Sequence, residues 1–194
     1  MVVSEVICGE FPECVPRLRG DGFVLRAHGP GDLERIVEQC QDPLAQRFVP
    51  LPSPYTHSTA HDFLTGYVAG GWNRREHAEF AIADVSDTYL GSMSLKARDH
   101  DRYEIGYLLH PDARGRGLAT AAARVALRWA FTELGAQVVL WRAVGGNEVS
   151  LRVAQKLGFE CTSLLPGWFY TQGEYVDEVG GTLTRARFEA QWGL

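Results

Sequence analysis

No apolar run in this sequence reaches the ~18–20 residues of a membrane span, and residues 1–5 (MVVSE) lack the charged and apolar regions of a signal peptide. A cytoplasmic protein is the expectation. Basic charge is not in excess: 19 Lys and Arg against 24 Asp and Glu leave a formal net charge of -5, which argues against the basic face of a general nucleic-acid binder. The four cysteines, Cys8, Cys14, Cys40 and Cys161, show no zinc-type paired spacing; free thiols are expected, with a Cys8–Cys14 bridge as the alternative. The six histidines are dispersed without metal-ligand spacing, so no metal is expected. There is no internal repeat and no low-complexity segment.

What remains is the make-up of one ordinary mixed domain: 194 residues, 45% hydrophobic, with 21 glycines. Residues 1–20, with Pro12, Pro16 and Gly20, read as a tail or irregular arm before a single domain over 21–194. Residues 23–27 suggest a strand. Asp32 is a plausible N-cap for a helix with Leu33, Ile36, Val37 and Cys40 on one face. Pro50, Pro52 and Pro54 stiffen a loop, and a second helix is expected over 58–69, ended by Gly70-Gly71. Residues 79–85 and 88–95 alternate as a hairpin, and 103–109 add a third strand. From Leu118 the apolar positions wrap most of a helix, leaving only Thr120, Arg124 and Arg128 as a polar strip; such a helix must be packed on most sides. Gly135 ends it. A strand over 138–143 then pairs in parallel, and a helix from Asn147 to Gly158 follows. Phe159 opens another strand, residues 166–173 form an aromatic loop, and 175–186 make a last strand with Gly180-Gly181 as a bulge.

The organising stretch is Arg114-Gly115-Arg116-Gly117-Leu118-Ala119-Thr120, a glycine turn at a helix start. Unpaired N–H groups and the helix dipole make such a turn a seat for phosphate, glycine lets an anion approach the backbone, and Arg114 and Arg116 add positive charge. A Walker loop needs Lys-Ser/Thr after its last glycine, whereas Leu118 and Ala119 stand here. A dinucleotide fingerprint needs a third glycine directly after a first strand, whereas Thr120 stands there. Acyl-coenzyme A is the third reading.

For that reading, Arg114-x-x-Gly117-x-Ala119 matches the Q/R-x-x-G-x-G/A signature of the GNAT acetyltransferase superfamily. Residues 103–131 (YEIGYLLHPDARGRGLATAAARVALRWAF) with 140–159 (LWRAVGGNEVSLRVAQKLGF) resemble the ribosomal-protein N-acetyltransferase (Rim-type) branch of that superfamily. The resemblance extends over about 23–185. It implies a GNAT fold of the α/β (α+β) class: a central mixed, largely antiparallel twisted sheet of about seven strands with helices on both faces. It implies acetyl-CoA as a diffusible cosubstrate, with the amides of Arg114, Gly115, Arg116, Gly117, Leu118, Ala119 and Thr120 on the pyrophosphate. Leu108, Leu109 and His110 would meet the pantetheine arm by their backbone, and Asn147 and Ser150 would match the family's N-x-x-S motif.

Acyl transfer to an amine needs a base, an oxyanion donor and an acid for the thiolate. Glu104, on the strand where GNAT enzymes often keep a carboxylate, is the candidate base, and a surface ion pair is the competing reading. Ser150 is the candidate acid. The tyrosine that many GNAT enzymes place seven residues after the motif Asn is Ala154 here, which leaves Tyr170 or Tyr175 as substitutes. Trp72, Trp168, Phe169 and Tyr170 are candidate lining of the acceptor pocket, against core packing. The expected activity is transfer of the acetyl group to a primary amine, a protein N-terminus or a small molecule, by direct attack in a ternary complex. The alternatives are another acyl-CoA such as succinyl-CoA, or an acyl-CoA-binding sensor. Neither nucleic acid nor membrane is an expected partner, and a homodimer is compatible with the sequence.

Overall fold

The computed structural model describes residues 11–194. An eight-stranded sheet runs in the order β1-β2-β3-β4-β5-β6-β8-β7. Its strands are β1 (Leu18–Arg19), β2 (Phe23–Arg26), β3 (His77–Asp84), β4 (Tyr89–Ala97), β5 (Arg102–Leu109), β6 (Val138–Val144), β7 (Glu160–Thr171) and β8 (Glu174–Thr184). Every neighbouring pair is antiparallel except β5–β6, the pair joined through a crossover helix. The expected seven strands become eight because Leu18–Arg19, placed by sequence in the arm, pairs with β2. Phe11, also from that stretch, packs edge-on against Trp72 at 5.3 Å. Cys14, Cys40 and Cys161 are free thiols; Cys8 and its suggested bridge lie outside the described residues.

On one face the crossover helix α5 (Leu118–Thr132) lies against the sheet. Its Ala122, Ala123, Ala126 and Ala130 are fully buried, and these small side chains let the helix axis approach the sheet closely. Trp129 fills the remaining space against Phe80 at 5.4 Å and Trp72 at 6.4 Å. Trp72 therefore belongs to the core and not to an acceptor pocket. α6 (Glu148–Leu157), closed by left-handed Gly158, and α7 (Arg185–Trp192) complete this side. The last strand ends at Thr184, earlier than expected, because the Thr184 hydroxyl caps α7 by accepting from the Arg187 N–H.

The other face carries α1 (Leu33–Gln41), α2 (Pro43–Phe48) and one helical stretch made of α3 (His57–Asp62), a π-helical turn (Phe63–Val68) and α4 (Ala69–Asn73). Gly70-Gly71 does not end that stretch. Gly71 is instead the point where the helix meets β3: a Cβ there would sit 1.9 Å from the His77 ring. Ile36 and Val37 of α1 close a second, smaller core with Tyr55, Ala81 and Tyr89. The aromatic stretch expected as a loop is the outer half of β7, which pairs with β8 through Phe169↔Val176 and Tyr170↔Tyr175. The bulge expected at Gly180-Gly181 sits opposite them, in β7 between Glu160 and Ser163.

Candidate active site

The parallel pair is where the sheet opens. β5 and β6 are partnered from Arg102↔Val138 to Ile105↔Trp141 and no further among the described residues. Beyond that point β5 stays with β4 as far as Gly91↔Leu109, while β6 stays with β8 as far as Val144↔Glu178. The sheet forks, and the facing edges of Gly106–Leu109 and Arg142–Val144 lose the pairing that backbone groups require. A cavity of about 760 Å³ opens at the fork, lined there by Gly106, Tyr107, Leu108, Arg142, Asn147 and Ser150, and it runs on beneath α1 and the π turn.

Which backbone groups face the gap follows from one hydrogen bond. The His110 N–H donates to Leu90 C=O at 2.9 Å. In an antiparallel pair such bonding alternates along the strand, so the backbone groups of Leu108 and His110 point toward β4. Those of Tyr107 and Leu109 point into the fork. Of the three residues expected to meet the pantetheine arm, Leu109 turns its backbone to the fork, as Tyr107 does, with the Leu109 C=O taken by Arg114. The His110 ring is a buried latch: Arg35 donates to Nδ1 at 2.9 Å, so Nε2 carries the proton and donates to Glu38 at 3.1 Å.

The glycine turn stands at the end of the fork. Gly115 and Gly117 both have φ +77, the left-handed region, and a Cβ at either position would meet nothing within 4 Å. Open space lies where an anion would approach. Gly117 is the N-cap of α5 and offers no side chain to the helix end, so the first-turn amides of Leu118, Ala119 and Thr120 are left to a ligand or solvent. Arg114 is used otherwise. Its N–H donates to Pro111 C=O, its Nε donates to Leu109 C=O at 3.2 Å, and its guanidinium pairs with Asp42 at 2.8 Å. It ties the turn to α2, whereas Arg116 is exposed.

Across the gap, Asn147 Oδ1 accepts from the Ser150 N–H at 3.1 Å and so caps α6. Ser150 Oγ accepts from Trp141 Nε1 at 3.1 Å and lies 3.0 Å from Tyr107 Oη. Indole can only donate, so one Ser150 lone pair is occupied; the Tyr107 hydroxyl also donates to the Ser150 C=O at 3.2 Å, so both ends of Ser150 are tied to Tyr107. Burial pushes the Tyr107 hydroxyl up to about 12. Tyr107 is hidden in the sequence because it sits in an apolar strand run, where an aromatic residue reads as core. Tyr170 and Tyr175 are exposed and pair with each other at 5.0 Å on the β7–β8 hairpin. Ala154 is fully buried, with no room for a tyrosine. Of the remaining aromatic candidates, Phe169 lines the cavity and Trp168 is exposed.

Glu104 is in the cavity wall, but its Oε2 is engaged. It accepts from Arg98 Nη2 at 2.6 Å and from Arg142 at 3.0 Å, and Arg142 also reaches Glu178 at 3.4 Å. This chain of charges runs from Arg98, just past the end of β4, through β5 and β6 to β8 at the root of the fork. Its geometry suits Glu104 to holding two guanidinium groups in place. Among the described residues no group of three or more His, Cys, Asp or Glu is placed to hold a metal ion, and no helix is long and apolar enough to cross a membrane.

A sheet forked beside a glycine turn at a helix start is the arrangement expected of an acyl-CoA-dependent acetyltransferase, and the family comparison shows that class. Residues 23–160 match the acetyltransferase (GNAT) domain model, and the chain belongs to that family. It is 25% identical over 90% of its length to the SPbeta prophage-derived uncharacterized N-acetyltransferase YokL of Bacillus subtilis, covering 96% of that protein. Among solved structures it is similar to the ribosomal-protein-S5-alanine acetyltransferase of Vibrio fischeri (TM-score 0.77, 17% identity, 89% of this chain and 98% of that one). It is also similar to the spermidine N-acetyltransferase of Vibrio cholerae in complex with CoA and spermine (TM-score 0.75, 18% identity, 86% and 98%).

Proposed function

We propose that the protein transfers the acetyl group of acetyl-CoA to a primary amine by direct attack in a ternary complex. The forked sheet carries this reading. Tyr107 and the Leu109 N–H face the gap along one wall, where the amides of a pantetheine arm would run, while the Leu109 C=O is held by Arg114, and the Gly115–Thr120 amides sit at its end for the pyrophosphate. The thioester then lies beside Ser150, whose hydroxyl protonates the departing thiolate with the Tyr107 hydroxyl hydrogen-bonded behind it. Asn147 serves by holding the first turn of α6, and Ser150 with it, at the gap. The Tyr107 N–H is the donor nearest the developing oxyanion.

Calorimetry with coenzyme A, followed by thiol release with acetyl-CoA and an amine and peptide panel, tests this. One-to-one binding and turnover of at least one amine are expected. No binding of coenzyme A would sink the reading, and turnover with succinyl-CoA in preference to acetyl-CoA would change the acyl group.

A further inference from the structure

The cavity continues away from the fork along the sheet face opposite α5. Three rows of register partners floor it: Lys96–Glu104, Glu79–Ser94–Gly106 and Ser92–Leu108. The middle row is a trough. Ser94 is small, Gly106 has no side chain, and a Cβ on Gly106 would come within 2.7 Å of Ser94 Oγ. Glu79 stands at one end of the trough and the fork at the other, two strand spacings or about 10 Å apart. The roof comes from Ile36, Gln39 and Cys40 of α1, with Tyr55, Phe63 and Tyr67.

Two acceptor groups in this enclosure have no donor. Glu79 is 8% exposed and Gln39 is 2% exposed. No hydrogen bond from the described residues reaches Gln39 Oε1, and none is found for the Glu79 carboxyl, whose nearby cation Lys96 instead lies over the Tyr67 ring at 5.9 Å. Buried polar groups are almost always hydrogen-bonded, so an enclosure with unmatched acceptors fits a ligand that brings N–H groups. We propose that Glu79, with Gln39 in the same enclosure, receives the acceptor as a cationic primary amine and takes the proton that the amine must lose. This rests on the transferase reading and adds the acceptor's chemistry to it.

The protons balance. The ammonium gives one to the Glu79 carboxylate through a short chain of waters along the trough, since about 10 Å exceeds what one bridging water spans. The nitrogen lone pair forms the C–N bond as the C–S bond breaks, and the thiolate gains the second amine proton through Ser150. Glu79 returns its proton to solvent, so ammonium and thioester give amide, thiol and one free proton. The groups facing Glu79 suit this task. Burial raises the Glu79 carboxyl to about 7, with Lys96 pulling the other way, near the optimum for a base at neutral pH. Burial keeps the Cys40 thiol and the Tyr55 phenol neutral. Glu104 is matched by Arg98 and Arg142, and Asp62 is exposed at the rim.

The test measures thiol release from acetyl-CoA between pH 6 and 9, with spermidine and with a peptide amide bearing a free N-terminal serine. The unaltered protein should show an ascending limb of kcat/KM near pH 7 that keeps its position when the amine is changed. Glu79→Gln should lower kcat/KM for the amine by about 100-fold, remove that limb, and leave calorimetric coenzyme A affinity within twofold. Glu79→Asp should restore part of the rate. A Glu79→Gln protein with native rate and limb would overturn the assignment while the transferase reading stands. Absence of the limb in the unaltered protein would overturn it even if the variant does not fold. Coenzyme A binding without turnover of either amine also counts against it, whereas failure to bind coenzyme A removes the transferase reading itself.

Discussion

Glu104 on β5 and Arg142 on β6 are joined at 3.0 Å just where the two strands stop pairing. The bridge is only partly exposed on its carboxylate side, at 15%, and Arg98 shares the same oxygen. It acts as a clasp at the root of the fork. Glu104→Gln is expected to leave two neighbouring guanidinium groups without their common anion, destabilising the fold by about 1–3 kcal/mol. A thermal melt reads this loss. Turnover of the variant should fall less than for Glu79→Gln, and a larger fall with an altered pH profile would return the base to Glu104.

Gly117 tests the turn separately from packing. Because φ is +77 and a Cβ on this residue would have no atom within 4 Å, Gly117→Val meets no clash but must hold a β-branched residue in the left-handed region. That costs roughly 1–3 kcal/mol, and the new side chain projects into the space before the helix amides. Coenzyme A affinity measured by calorimetry should fall at least about tenfold, the equivalent of about 1.4 kcal/mol. An unchanged affinity would move the pyrophosphate elsewhere.

Ser150→Ala removes the acceptor of Trp141 Nε1 and the nearest partner of Tyr107 Oη. Leaving the buried indole N–H unpaired should cost about 1–3 kcal/mol in urea denaturation. As the proposed acid, Ser150 should also set kcat, which is expected to drop about 100-fold with little change in KM for acetyl-CoA. Tyr107→Phe keeps the serine and should lose less. Equal kcat in all three proteins would take the proton relay out of the reaction.

Two buried groups pull stability in opposite directions with pH. Glu79 is raised from 4.5 to about 7 by burial, so between those values the folded state holds a proton that the unfolded state has lost, and stability falls as pH rises. His28 is lowered from 6.5 to about 4, again chiefly by burial. Between those values only the unfolded state holds the proton, and stability falls as pH drops. From about 4.5 to 6.5 the two slopes cancel. Glu79→Gln should expose the His28 slope as a gain on the order of 3 kcal/mol between pH 4 and 6.5, read by urea denaturation across pH. A flat profile in the variant would show that His28 is not buried as described.

Much of the frame was legible in the sequence because its signals are local. The narrow polar strip of α5, the caps Asn147 and Gly158, and the order of strands follow from periodicity and turn chemistry within a few residues. The π turn and α4 were not legible, since Gly70-Gly71 is an ordinary stop signal that close contact with His77 overrides. α7 was hidden because the Thr184 cap is followed by a weakly amphipathic segment, held in place by Phe188 in the core.

The site divides along the same line. By itself the sequence determined the glycine turn and its helix, because conformational freedom at Gly115 and Gly117 and the orphan amides of α5 are properties of a short stretch. Only the tertiary structure decided which side chains stand around the gap. Glu79 alternates with Ala78 and Phe80 of the core, so strand periodicity places it on the outward face. That face is covered because α1 and the π turn fold over it from distant parts of the chain. Burial of a charge there depends on long-range packing, which no local pattern encodes.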